Sequence, residues 1–485
     1  MPNDTAVNNP PDDLIAADLC VIGAGAGGLA VAAAGAAFGQ RVVLIEKHKM
    51  GGDALNYGAL PSKALIAAAQ RANAIRTAAH FGVSAGEPQI DARGLHRHIK
   101  SVIAAVAPNA SIERFAGMGV RVITAAGKFV DASTVVAGEH RITARRFVVA
   151  TGSSPSVPAV PGLADVPYFT TETIFDNTTR IAHLIVIGGN GAALELAQAY
   201  RRLGLDVTVL EANKALADGD PELTPFVLAR LRDEGVVLRE GATVQGASSA
   251  GGSVAVTIKT DAGTETITGS HLLIAQGRKP NVADLGLDAA GIAYDKIAGI
   301  RVNAGLVTSN KRVFAIGDVT GGAPSAHAAA DHAEIVLKCA LFRIPTKTTA
   351  RAMPSVTFTD PQLASVGLSE TQARAKHGKI NVLRWPYSEN DCAHATCEAQ
   401  GHIKVVVGPK GHILGATIVG ADAAELIQMW SLALSQRLKI KAMTEWISPY
   451  PTLSEINKRA AFRYFATAPS NPVVRKAIAW LAKLG

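Results

Sequence analysis

Residues 18–47 read DLCVIGAGAGGLAVAAAGAAFGQRVVLIEK. An apolar run, Leu19 to Ile22, leads into Gly23, Gly25 and Gly28. An Ala-rich helical stretch follows, then a second apolar run, Arg41 to Ile45, ending at Glu46. The spacing predicts strand, tight turn, helix and strand. In such a unit the first glycine permits the turn, the second admits a pyrophosphate and the third lets helix and strand pack closely. The helix N-terminus then faces the phosphates and Glu46 accepts from a ribose hydroxyl. A lone glycine triplet would be weak; with both strands, the helix and the acid present, the segment reads as a dinucleotide site.

Residues 183–214, HLIVIGGNGAALELAQAYRRLGLDVTVLEANK, repeat the design with a changed turn. The strand is Leu184 to Ile187 and the terminal acid is Glu211. Gly188 keeps the first place, but Asn190 holds the second and Ala193 the third. Asparagine tolerates unusual backbone angles, so the turn survives on this reading, while the Asn190 side chain is placed to crowd a pyrophosphate. A Rossmann unit that binds weakly is therefore the competing expectation. Glu211 favours a free 2′-hydroxyl, hence NAD over NADP.

The bulk numbers fit this picture. A chain of 485 residues exceeds one ordinary core, so several domains are expected. It is 48% hydrophobic and 18% charged, a globular balance. Only 5% of residues are aromatic, which argues against nucleic-acid stacking platforms. The net charge of +8 favours anionic ligands. No apolar run reaches the ~18 residues of a membrane span. Residues 1–16, polar with three prolines, read as a flexible leader and not as a secretion signal. Four cysteines in such a length make no disulfide framework and suggest a cytoplasmic location. Cys20 and Cys339 read as small buried hydrophobes. No metal site is assigned.

Further motifs occur in a telling order: GGDALNYGALPSKAL at 51–65, VVATGSSP at 148–155, LLIAQGRKPN at 272–281, VFAIGDVTGG at 313–322, PSVTFTDPQLASVGLSE at 354–370 and PYPTLSE at 449–455. In this order, with the two fingerprints, they resemble the pyridine nucleotide–disulfide oxidoreductases, the family of dihydrolipoamide dehydrogenase, glutathione reductase and mercuric reductase. The likeness runs from about residue 17 to 467. It implies an α/β fold with two Rossmann-like domains, for FAD and NAD(P), and an α+β C-terminal dimerisation domain.

The implied organisation is an FAD-binding domain over 17–155 and 275–350, an NAD(P)-binding domain over 156–274 and a dimerisation domain over 351–467. Implied FAD contacts are Gly23, Gly25, Gly28, Glu46, Lys47, Gly52, Lys63, Ala150, Thr151, Gly152, Gly317 and Asp318. Implied NAD contacts are Gly188, Asn190, Gly191, Glu195, Glu211 and Gly277. Lys63 matches the lysine beside the flavin N5, and Glu195 the glutamate that pairs with it where nicotinamide docks. Without the resemblance, Lys63 is a solvated lysine near a helix start. Glu195 then shares an ordinary polar helix face with Gln198 and Arg202.

The chain departs from the family at the decisive place. Where disulfide reductases carry two cysteines four residues apart, it has Ala54 and Ala59. Alanine forms no thiolate, so the family's electron exit through sulfur is lost. The family's histidine before PT-x-x-E is here Tyr450, with Glu455 retained. A tyrosine, with a pKa near ~10, donates a hydrogen bond but is a poor base near neutrality. Tyr450 and Glu455, with Tyr57, are the groups expected near the electron acceptor. Tyr57 has a plain alternative as a space-filler.

Cys392 and Cys397 in DCAHATC repeat the lost spacing. Between two apparent strands, an extended segment would hold them about 16 Å apart, against the roughly 4.4–6.8 Å a disulfide needs. A surrogate pair therefore requires a turn near His394. Replacement of ancestral cysteines by deliberate mutation would give the same alanines.

The last stretch, NPVVRKAIAWLAKLG at 471–485, within a tail set at 468–485, reads as a short basic amphipathic helix. Such a helix lies peripherally on an anionic membrane or packs on its own protein.

The expected function is a homodimeric FAD flavoenzyme that takes hydride from NADH and passes electrons to a small non-disulfide acceptor: a quinone, another oxidant or oxygen. Two rivals remain: a disulfide reductase whose pair was mutated or replaced by Cys392 and Cys397, and a non-catalytic flavin-binding scaffold. No nucleic-acid partner is expected.

Overall fold

The computed structural model describes residues 13–322, 325–348, 353–466 and 470–484. Its first sheet has seven strands, in the order 120–124, 42–46, 13–22, 140–149, 134–137 and 127–131, with 313–315 also paired to 140–149. The strands Val42–Glu46 and His140–Val149 flank Asp13–Ile22 in parallel, and their connections leave in opposite directions. That is a topological switch point, where open α/β sheets bind ligands at the carboxyl ends of their strands. Leu19, Cys20, Val21 and Ile22 are buried, as expected for a parallel strand covered on both faces.

The first strand begins at Asp13, inside the stretch read as a leader. Leu14, Ala16 and their neighbours pair with Arg141 and Thr143 of the adjacent strand, so backbone pairing extends past the apolar run that sequence could see. The rest of that leader, residues 1–12, lies outside the described residues. The second strand is Val42–Glu46 and thus includes the acid.

A second parallel sheet orders 237–240, 206–211, 183–187, 271–274 and 169–170, with an antiparallel three-stranded sheet over 243–269 beside it. The two nucleotide sheets are joined by a small antiparallel pair, Ser153–Pro155 with Arg278–Pro280. The third unit is an antiparallel five-stranded sheet in the order 355–357, 362–367, 413–420, 402–407 and 381–386. The helices Ala423–Ser435 and Glu455–Phe462 add Trp430, Ile456 and Ala460 to the core on this sheet. Trp430 is fully buried and its indole N–H donates to Asn457 Oδ1 at 2.8 Å, which satisfies its one polar atom.

The apolar cores are not separate islands. Leu65 of the helix Ala59–Thr77, Val186 and Leu196 of the second Rossmann unit, and Leu363 and Val419 of the third sheet belong to one buried cluster. The helix that carries Lys63 is thereby packed against the helix that carries Glu195.

Candidate functional site

At the first turn each glycine has a distinct reason. Gly23 has φ +105°, and a Cβ there would lie 2.4 Å from Ala150 O. A Cβ on Gly28 would lie 1.9 Å from Gly23 O, so helix and turn close only without a side chain. Around Gly25, at the N-cap of the helix Ala26–Ala37, a Cβ would meet nothing within 4 Å. This is an open cradle at a helix N-terminus, which suits a pyrophosphate. Gly52 closes the floor: its own Cβ would lie 2.7 Å from Gly25 Cα. Glu46 Oε2 accepts from Ala24 N at 2.7 Å and Oε1 from His48 N at 2.8 Å. Lys47 beside it is exposed.

The second turn reproduces this geometry despite its sequence. A Cβ on Gly188 would lie 2.5 Å from Ala275 O. Glu211 accepts from Gly189 N at 2.7 Å and from Asn213 N at 2.8 Å, matching Glu46 bond for bond. Asn190 takes no unusual backbone angle; it is extended, with φ −77° and ψ 174°. Its side chain folds back onto the turn. Oδ1 accepts from Ala193 N at 3.1 Å and Nδ2 donates to Ala275 O at 2.7 Å. The expected crowding of a pyrophosphate is therefore replaced by an N-cap. Ala193 is fully buried. At Gly191 a Cβ would lie 2.8 Å from Thr357 Oγ1, while Gly277, at φ +96°, faces open space.

Ala150, Thr151 and Gly152 follow the strand His140–Val149 and are tied by Asn281, which donates to Thr151 O at 2.9 Å. Asp318, next to Gly317, accepts from Ser153 Oγ at 2.7 Å and from Ser325 N at 3.2 Å. Behind this pair stands Arg278, which sequence reading did not single out. It donates through Nε to Ser153 Oγ at 2.8 Å and through Nη2 to Glu172 at 2.9 Å. It also pairs with Asp53 Oδ1 at 3.2 Å. Arg278 thus braces both nucleotide units and the short helix Gly52–Asn56 that carries Ala54. Burial raises the Asp53 carboxyl above the usual range; Arg278 opposes that shift, and Glu172 and Asp318 add to it. The signal available in sequence was GRKPN, a cation directly after a glycine, at the start of a short strand.

Lys63 and Glu195, 132 positions apart, meet at 2.6 Å. The side chain of Glu195 is 8% exposed and that of Lys63 is 34% exposed. Phe358 completes the pair: its N–H donates to Glu195 Oε1 at 2.8 Å and its ring centroid lies 4.3 Å from Lys63 Nζ. The face shared by Glu195, Gln198 and Arg202 is not an ordinary solvated one. All three are buried. Gln198 bonds the backbone of Asp360 in both directions, at 2.7 and 2.8 Å. Arg202 pairs with Glu234 at 2.6 Å and with Asp360 at 2.7 Å. The segment Phe358–Asp360 thus docks the third sheet onto the helix Gly191–Arg202.

Ala54 lies in the short helix Gly52–Asn56, and Ala59 opens the helix Ala59–Thr77. Cys20 is buried in the first strand, Cys339 is half-buried, and all four cysteines are free. The extended reading of Cys392–Cys397 is corrected: Asp391–Ala395 is a helical turn capped by Asn390. It ends with Glu398 N on Ala393 O, Cys397 N on His394 O and Cys397 left-handed at φ 57°. Asn390, a strong cap residue, was the signal for this turn.

Tyr450 OH donates to Asp391 Oδ2 at 2.8 Å, and that carboxylate raises the phenol's pKa. Tyr450 is 71% exposed. Glu455 opens the helix Glu455–Phe462. Within one chain neither makes a hydrogen bond or ion pair with Lys63 or Glu195. Tyr57 ends the helix Gly52–Asn56; burial raises its pKa, and Lys49 Nζ lies 5.4 Å from its ring centroid.

Two matched dinucleotide cradles, with a lysine–glutamate pair between them, define a two-nucleotide oxidoreductase. Comparison with known proteins gives the family. Residues 17–333 match the pattern of the pyridine nucleotide-disulphide oxidoreductases, and residues 353–461 match that family's dimerisation domain. The chain belongs to this family of FAD-dependent enzymes, whose members use NAD(P)H.

It is 31% identical over 449 residues to mercuric reductase of Lysinibacillus sphaericus, covering 92% of this chain and 82% of that one. It is 32% identical over 464 residues to dihydrolipoyl dehydrogenase of Geobacillus stearothermophilus, covering 93% and 96%. Among solved structures, LpdA from Mycobacterium tuberculosis superposes with a TM-score of 0.85 at 26% identity, covering 92% of this chain and 99% of that one. The HOCl-induced flavoprotein disulfide reductase RclA from Escherichia coli superposes with a TM-score of 0.82, also at 26% identity, covering 92% and 99%.

Proposed function

We propose that this chain is an NADH oxidoreductase that delivers electrons to a small acceptor without using an internal disulfide. One observation carries the reading: the Lys63–Glu195 pair is fully assembled, while Ala54 and Ala59 leave no sulfur in the loop where the family keeps it. FAD, when bound, would supply the two-electron redox chemistry that links the nicotinamide donor to the acceptor.

The residues present fit it. Gly25 and Gly52 would frame the pyrophosphate cradle, Glu46 would face the ribose, and Asp318, held by Ser153, to which Arg278 donates, would serve the ribityl chain. Lys63 brings a cation to the ring; Glu195 and Phe358 fix where that cation sits. Tyr450 and Glu455 act across a homodimer interface, from the partner, as hydrogen-bonding groups near the acceptor. The acceptor is a quinone, another small oxidant or oxygen. Glu211 disfavours a 2′-phosphate, so NADH is the donor. A cytoplasmic location, where free cysteines persist, is part of this reading. No helix among the described residues is long and apolar enough to cross a membrane.

The test is anaerobic mixing of the purified flavoprotein with NADH. Flavin absorbance at 450 nm is expected to bleach within about a second, in line with the turnover typical of enzymes. No thiolate charge-transfer band should appear on partial reduction. NADH should exceed NADPH by about tenfold or more in kcat/KM, the order expected from one unfavourable phosphate contact. Unchanged absorbance would assign the chain to the scaffold reading. A charge-transfer band would reinstate Cys392 or Cys397 as a redox thiol.

A further inference from the structure

The helix Pro472–Leu481 begins as a helix should. Asn471 caps it, accepting from Val473 N at 2.9 Å, and Pro472 fills the first turn, where no backbone N–H is needed. None of its residues is buried. Val473 is 73% exposed, Ile478 60%, Trp480 63%, Leu481 56% and Leu484 66%. The expectation that the tail packs on its own protein is therefore not met among the described residues.

The pattern of these residues decides what covers them. Val473, Ala477, Trp480, Leu481 and Leu484 recur at intervals of three, four and seven and share one face, with Ile478 at its edge. Arg475, Lys476 and Lys483 lie off that face, and no acid occurs from 471 to 485. An all-cationic flank favours an anionic surface over a neutral one. Two copies of this helix, each with three cations and no acid, would repel one another and are a poor match for each other. At 10 residues, about 15 Å, the helix is half a bilayer core in length and cannot span one. Trp480, with an apolar ring and one N–H donor, suits a headgroup boundary.

We infer that the helix Pro472–Leu481 docks the protein onto an anionic lipid surface, lying in the interface with its Val473–Ala477–Trp480–Leu481 face in the acyl boundary and its cations at the headgroups. The inference is independent of which acceptor the enzyme uses.

Flotation of the full-length holoprotein tests it. Vesicles of phosphatidylglycerol with phosphatidylcholine should carry the protein up the gradient. Three cations give on the order of a 100-fold preference over pure phosphatidylcholine vesicles, and about 1 M salt should release the protein. The I478E/L481E double variant should stay at the bottom while still bleaching with NADH. A parent protein that does not float overturns the proposal, as does an I478E/L481E variant that floats equally well. Failure to bleach with NADH would count against the proposed reaction and leave the flotation result standing. If the parent stays unbound and I478E/L481E changes the oligomeric state, the helix covers a second copy and the lipid assignment fails.

Discussion

Between Lys63 and Glu195 the decisive quantity is exposure. The carboxylate is nearly dry and accepts from both Lys63 and Phe358, so removing its charge leaves the cation with a neutral partner in a partly desolvated place. Glu195→Gln keeps the shape and the Phe358 bond. It should slow flavin reduction by NADH by about 10- to 100-fold in stopped-flow absorbance, the scale of one preorganised electrostatic contact. FAD content should not change. An unaltered rate would show that the pair holds the fold and does not tune the ring. Neither Phe358 nor Arg278 was legible as a site residue, because each acts through contacts closed by other segments: Phe358 on a helix 163 positions away and Arg278 on the short helix Gly52–Asn56 far earlier. Lys63 and Glu195 were legible only by resemblance; nothing in their local spacing predicts that they touch.

At the scale of elements, the helix Gly191–Arg202 shows how one amphipathic pattern can mislead. Its Glu195, Gln198 and Arg202 look like a solvated stripe, but the segment Phe358–Asp360 covers them and supplies partners. The seam must therefore carry energy. Arg202→Ala strips a buried cation from two carboxylates and should lower stability by about 3 kcal/mol in urea unfolding. Arg41→Ala, which breaks a pair whose arginine is 68% exposed and screened by water, should cost far less. Equal costs would mean the seam is not buried in solution. The glycine turns, by contrast, were readable at sight. Their constraint is local, a carbonyl within 2.5 Å of an absent Cβ, and it is met by the residue itself. The Asn190 turn needed the structure to show that a side chain can fold back and cap.

Across the whole molecule, a charged cluster ties the second Rossmann unit to the third sheet. Buried Lys404 reaches Asp220 and Glu222 at 3.0 Å and Glu370 at 2.9 Å, and Arg384 bonds Glu222 at 2.5 Å. The hydrogen bond from Arg384 holds Glu222 at about 2, and Lys404 lowers Glu370. Both carboxyls bind protons less readily folded than unfolded. Their contribution is therefore complete above the ordinary carboxyl value of about 4.5 and lost as pH falls toward 2. Acid should loosen this junction in that window, read as a change in near-UV circular dichroism. Arg384→Ala should move the transition to higher pH. A transition unmoved by that substitution would place the acid-sensitive contacts elsewhere.

The first nucleotide turn, the two terminal acids and the lack of sulfur at positions 54 and 59 could be read directly from the chain. These follow from residues adjacent in the chain, where sterics and covalent chemistry leave little choice. Packing alone settled that Lys63 meets Glu195, that Phe358 and Arg278 brace the site, and that the 391–397 cysteines sit in a helical turn. It also leaves the C-terminal apolar face exposed among the described residues of a single protomer. Those outcomes depend on which distant segments pack together, and a one-dimensional pattern of polar and apolar residues does not name its partners.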